Sequence, residues 1–131
     1  MFGKQSQQKN SGQVSLIGPG TRIEGNIRFS GGLRIEGEVV GNVEAAEGAS
    51  STLFLSEQAK VVGRVDVSHF VSSGTVVGPV TVSDSLELQP TARIEGDVDY
   101  AAIEMHQGAV IEGRLTYRTK SSVELKLAAS N

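Results

Sequence analysis

Apolar side chains recur at every second position in short runs along the middle of the chain. Leu33-Arg34-Ile35, Leu53-Phe54-Leu55, Val80-Thr81-Val82, Leu86-Glu87-Leu88 and Ile103-Glu104-Met105 are the clearest. A period of two sends alternate side chains to opposite faces of a strand, apolar inward and polar outward. No segment keeps a helical period for more than two turns. The pattern predicts an all-β chain built from very short strands.

Between these runs lies a second element: an aliphatic residue, any residue, Gly, any residue, then an aliphatic. It reads Ile23-Glu24-Gly25-Asn26-Ile27, Ile35-Glu36-Gly37-Glu38-Val39, Val39-Val40-Gly41-Asn42-Val43, Val61-Val62-Gly63-Arg64-Val65, Val76-Val77-Gly78-Pro79-Val80, Ile94-Glu95-Gly96-Asp97-Val98 and Ile111-Glu112-Gly113-Arg114-Leu115. From Gly25 through Gly41, Gly63, Gly78 and Gly96 to Gly113 the steps are 16, 22, 15, 18 and 17 residues. A strand advances about 3.3 Å per residue, so a repeat of about 18 residues makes three short strands and three tight corners. The expected architecture is a parallel β-helix of about six triangular coils over residues 14–117. Gly is expected where the chain bends or packs closely on the next coil. The long step contains Glu44 to Thr52, which reads as a surface loop. Residues 1–13, rich in Gln, Lys and Ser, are expected to form a flexible basic tail. Residues 118–131 are expected to form a flexible tail whose Val123-Glu124-Leu125-Lys126-Leu127 alternates enough for a strand or a partner contact.

A solenoid buries the edges of each coil only against its neighbours, so its first and last coils expose backbone groups and core side chains unless something caps them. No amphipathic capping helix precedes Val14 or follows Tyr117. End-to-end stacking into a homopolymer would bury both edges and needs no nucleotide. The expected polymerisation interface is Ile17 and Ile23 at the N-terminal face, with Val110, Ile111 and Leu115 at the C-terminal face.

Composition narrows the alternatives. Only 5% of the 131 residues are aromatic and none is Trp, so the apolar content is mostly Val, Ile, Leu and Ala, as a narrow solenoid interior favours. There is no Cys, which excludes disulfides, thiolate metal sites and Cys nucleophiles. No apolar run approaches the ~20 residues of a membrane span, and the N-terminus lacks the apolar run of a secretory signal, so a cytoplasmic location is expected. Residues 14–117 hold seven basic against fourteen acidic residues, a net −7, which repels nucleic acid phosphates.

No catalytic, cofactor or metal site is expected. His69 and His106 stand far apart; Asp66 and Glu104 are the nearby carboxylates, and both His read as surface or corner residues. Glu24, Glu36, Glu95 and Glu112 recur at equivalent outward positions, a solvated face rather than an acid–base pair. Gly18-Pro19-Gly20-Thr21 lacks the Lys of a phosphate-binding loop. A hexapeptide-repeat acyltransferase is the rival β-helix, since Ile17 and Ile23 fit a six-residue period, yet the Gly steps of 16, 22, 15 and 17 are not multiples of six. A monomeric partner-binding adaptor is a third reading.

The run Leu16-Ile17-Gly18-Pro19-Gly20-Thr21-Arg22-Ile23-Glu24-Gly25-Asn26-Ile27 resembles the opening of the bactofilins, a family of bacterial cytoskeletal proteins. Leu33-Arg34-Ile35-Glu36-Gly37, Ala92-Arg93-Ile94-Glu95-Gly96-Asp97-Val98 and Gly108-Ala109-Val110-Ile111-Glu112-Gly113 resemble later segments of the family. The resemblance implies a right-handed β-helix and nonpolar, nucleotide-independent filaments that organise cell-shape, stalk or polarity machinery, with cell-wall enzymes or other scaffold proteins as partners. Ile111 departs from it, because the family often has Phe there, and the tail after Tyr117 lacks the Pro-rich character common in the family. Met1-Phe2-Gly3-Lys4 resembles the family's N-terminal membrane-targeting segments. Met1 and Phe2 would enter the interface of the cytoplasmic membrane while Lys4 and Lys9 meet anionic headgroups.

Overall fold

The computed structural model describes residues 14–46 and 50–117. Each coil turns through three walls. The first wall stacks β1 (Val14–Ile17), β4 (Gly31–Ile35), β7 (Ser51–Leu55), the second halves of β9 (Val65–Ser72) and β11 (Val80–Leu88), and β14 (Ile103–Met105). The second stacks β2 (Arg22–Glu24), β5 (Glu38–Val40), β8 (Lys60–Val62), β10 (Thr75–Val77), β12 (Arg93–Glu95) and β15 (Val110–Glu112). The third stacks β3 (Ile27–Phe29), β6 (Val43–Ala45), the first halves of β9 and β11, β13 (Val98–Tyr100) and β16 (Leu115–Tyr117). Among the described residues, every pairing between coils is parallel, and they make six coils. Strands β9 and β11 run unbroken around the corner between the third and first walls, merging those two walls into one hydrogen-bonded sheet.

Parallel stacking puts equivalent residues directly above one another, so the core is a set of columns. On the second wall the inward column is Ile23, Val39, Val61, Val76, Ile94 and Ile111. On the third it is Ile27, Val43, Val65, Val80, Val98 and Leu115. The first wall contributes Leu33, Leu53, Phe70, Leu86 and Ile103. β-Branched residues suit such columns because their methyls fill the space between coils about 4.8 Å apart. Two polar residues enter the interior. The Ser51 hydroxyl accepts from the Ser68 backbone N–H at 3.0 Å, and Ser72 reaches the Gly74 carbonyl at 3.5 Å.

The glycine repeat marks one corner. Gly25, Gly41, Gly63, Gly78 and Gly96 all have positive φ, from 137° to 153°. A Cβ on Gly41, Gly63, Gly78, Gly96 or Gly113 would collide with the carbonyl oxygen of the glycine one coil earlier. Beside this column a second one forms: the Asn26 side-chain oxygen accepts from the Asn42 N–H at 3.0 Å, and Asn42 does the same for Arg64 at 3.1 Å. Asp97 repeats the contact with Arg114 at 3.0 Å. Gly37 belongs elsewhere. It lies in the corner between the first two walls, under the Thr21 carbonyl.

Two expectations change. Glu44 and Ala45 lie in β6, Ser51 and Thr52 lie in β7, and Ser51 is buried, so the loop expected over Glu44 to Thr52 is shorter. The outer surface is not uniformly polar: Val40, Val62 and Val77 form a half-buried outward column between Glu24 and Glu95. As the glycine steps indicate, the six-residue period ends after coil one, because the first corner is a tight two-residue turn at 36–37 and 73–74 and a wider four-residue one at 18–21, 56–59, 89–92 and 106–109. The tails expected over 1–13 and 118–131 lie outside the described residues.

Candidate assembly faces

The columns run out at both ends. Val39 and Ile94 are fully buried, whereas Ile23 and Ile111, at the ends of the same column, are half-exposed. Val98, between Val80 and Leu115 in its column, is 0% exposed, whereas Leu115, which among the described residues has a column neighbour only in Val98, is 47% exposed. Ile17, Ile23, Ile27 and Phe29 line the N-terminal face; Ile103, Met105, Ile111, Leu115 and Tyr117 line the C-terminal face. The Tyr117 ring rests on Tyr100 of the preceding coil, with centroids 5.8 Å apart. Among the described residues, β1, β2 and β3 pair only with the second coil, and β14, β15 and β16 only with the fifth. Each end therefore offers apolar side chains ringed by three strand edges.

Of the expected interface residues, Ile17 and Ile23 lie on the N-terminal face, and Ile111 and Leu115 on the C-terminal face. Val110 lies beside that face but points outward, in the column of Arg22, Glu38, Lys60, Thr75 and Arg93. Sequence reading passed over Phe29, Met105 and Tyr117, which the coil register places at the ends. Met1, Phe2, Lys4 and Lys9 lie outside the described residues.

The sides carry charge. Arg22 meets Glu24 at 3.0 Å and Glu38 at 3.3 Å; Arg93 meets Glu95 at 3.0 Å and Glu112 at 2.9 Å. The hydrogen bond to Glu95 raises the Arg93 pKa above its ordinary value, so that guanidinium stays charged. Such exposed pairs add little to stability, because water screens them. Their effect is to keep the walls hydrated while the ends stay apolar. Two side-chain clusters have chemical interest. His69 Nδ1 lies 2.8 Å from Ser85 Oγ, and its Nε2 lies 3.5 Å from Asp84. They share the outer surface of the first wall, where the ring is oriented by two surface partners. The other cluster, Glu87, Glu104 and His106, joins coils five and six. A shallow groove of about 260 Å³ runs past Pro19, Arg22, Glu36 and Gln58, where the tight 36–37 corner sits between two wider ones. It is smaller than the ~300–1,000 Å³ of ordinary ligand pockets.

The bactofilin family, described as polymer-forming cytoskeletal, matches residues 15–116, nearly the whole solenoid. The chain belongs to the bactofilin family. It is 29% identical over 101 residues to Bactofilin BacP of Myxococcus xanthus, covering 77% of this chain and 40% of that protein. To Bactofilin BacO of the same organism it is 27% identical over 101 residues, covering 77% of each. The match thus spans well under half the length of BacP. No solved structure matches the chain.

Proposed function

We propose that this bactofilin assembles end to end into nonpolar, nucleotide-independent filaments that lie on the cytoplasmic face of the membrane and organise cell-shape or cell-wall machinery. One observation carries the reading: among the described residues, the core columns continue to both ends of the rod, where the outermost strands pair on one side only. Burying a fully exposed Leu, Ile or Phe is worth about 1.5–3 kcal/mol, and each face presents several partly exposed ones. Continuing the three walls across the junction adds backbone hydrogen bonds. Together these offset the ~4–15 kcal/mol cost of association. Purified protein in plain buffer should form filaments visible by negative-stain electron microscopy without nucleotide. A monodisperse monomer at micromolar concentration would overturn the reading and favour an adaptor. A thioester-cleavage assay should show no acyltransferase activity.

Membrane attachment is carried by Met1, Phe2, Lys4 and Lys9. Each Lys near an anionic surface contributes about 1 kcal/mol, so one copy binds weakly. A filament presents many copies, and multivalency converts weak contacts into stable attachment. Wild-type filaments should float with anionic liposomes in a density gradient, and Phe2→Ala filaments should stay at the bottom. Equal flotation of the two would remove the N-terminus as anchor.

A further inference from the structure

We propose that Glu87, Glu104 and His106 form a binding site for a zinc-class divalent cation that staples the last coil of the solenoid to the one before it. The register of β11 on β14 sets Glu87 directly beside Glu104, both pointing outward from the first wall. Like charges on neighbouring strands of a ladder destabilise it unless a cation lies between them. His106 supplies the third group. Its backbone N–H donates to the Leu88 carbonyl at 2.9 Å, which anchors the corner after β14, and its ring reaches back over both carboxylates. His106 Nε2 lies 3.0 Å from Glu87 Oε2 and 3.6 Å from Glu104 Oε2.

The size of this triangle can accommodate a metal. Ligands at about 2.0 Å from a tetrahedral zinc ion lie about 3.3 Å from one another. Two of the three separations straddle that value, and all three donor atoms lie within 4.8 Å of one another. Closing the remaining gap asks only for a rotation of Glu104, the most exposed of the three at 69%. One imidazole nitrogen with two carboxylates suits Zn²⁺ better than Mg²⁺ or Ca²⁺, which prefer all-oxygen shells. Glu87 is prepared as a ligand. Gln89 Nε2 donates to its Oε2 at 2.9 Å and fixes the carboxylate. The remaining coordination position faces solvent and takes water.

The site sits where the fold gains most from it. Among the described residues, coil six pairs on one side only, and the ion would bind it to coil five through side chains as well as backbone. The test is equilibrium dialysis of the full chain against micromolar zinc chloride, with bound metal counted per chain. The expected result is about one zinc per chain, with Glu87→Gln and His106→Ala each weakening binding by about tenfold or more. His69→Ala, on the same wall but outside the triangle, should bind as wild type does. Hydrogen exchange across 103–112 should slow on zinc addition in wild type and not in His106→Ala. Wild-type protein that takes up no zinc, or a His106→Ala variant that binds it as tightly, overturns the site. Neither readout depends on filament formation, so its failure is distinct from failure of the assembly reading.

Discussion

Ile111→Arg should abolish filaments while leaving the solenoid folded. Ile111 ends the column that begins at Ile23, and in a free rod it is half-exposed, so an Arg there can turn its guanidinium into water. In a stacked junction the same group would be dry and unpaired, at a cost of several kcal/mol per contact. The sedimentable fraction should fall to background while far-UV circular dichroism stays that of a β protein. Val110→Arg is the informative companion. Its side chain already points outward beside Arg93, so it should reduce assembly much less. Filaments of Ile111→Arg indistinguishable from wild type would remove this column from the junction.

The second large effect concerns the glycine corner. At Gly63 the backbone is at φ 149°, and an added Cβ would fall on the carbonyl oxygen of Gly41. Neither atom can yield, because both belong to backbone fixed by pairing: Gly41 N–H donates to Val62 and Gly63 N–H to Val77, each at 2.9 Å. Gly63→Ala should therefore cost more than about 4 kcal/mol and leave little folded protein. Gly25 occupies the same corner in the first coil at φ 137°, yet nothing lies within 4 Å of its added Cβ. Gly25→Ala should cost only the ~1–3 kcal/mol of an unfavourable backbone conformation. Thermal denaturation of the two variants separates them, and equal melting temperatures would show that coil contact is not what requires glycine.

These two positions also show how far the sequence could be read. The glycine column was legible because its requirement is local and repeats: a bend, then the same bend one coil later. Gly37 carries the same flanking pattern for a different reason, close approach to the Thr21 carbonyl, which only the corner geometry reveals. The loop between coils two and three was placed but overextended, since Ser51 and Thr52 look like loop residues and their strand character comes from pairing with Gly31 and Gly32. Ile17, Ile23, Ile111 and Leu115 could be assigned to the ends from repeat order alone. Val110 has the right composition and the wrong parity, a distinction that depends on a one-residue register. The Glu87–Glu104–His106 triangle was beyond reach for the same reason, because Glu87 and His106 are 19 residues apart and meet only once β11 and β14 are aligned.

Six coils stacked through parallel pairing give the rod a defined repeat. With neighbouring strands about 4.8 Å apart, each subunit advances a filament by roughly 29 Å. In the proposed end-to-end filament the strands would lie across the axis, with their hydrogen bonds along it. An aligned fibre should therefore give an X-ray pattern with a strong meridional reflection near 4.8 Å, the spacing that also marks amyloid. The two would separate at low angle, where only a nonpolar polymer of discrete six-coil subunits adds an axial period of about 58 Å, the length of two subunits.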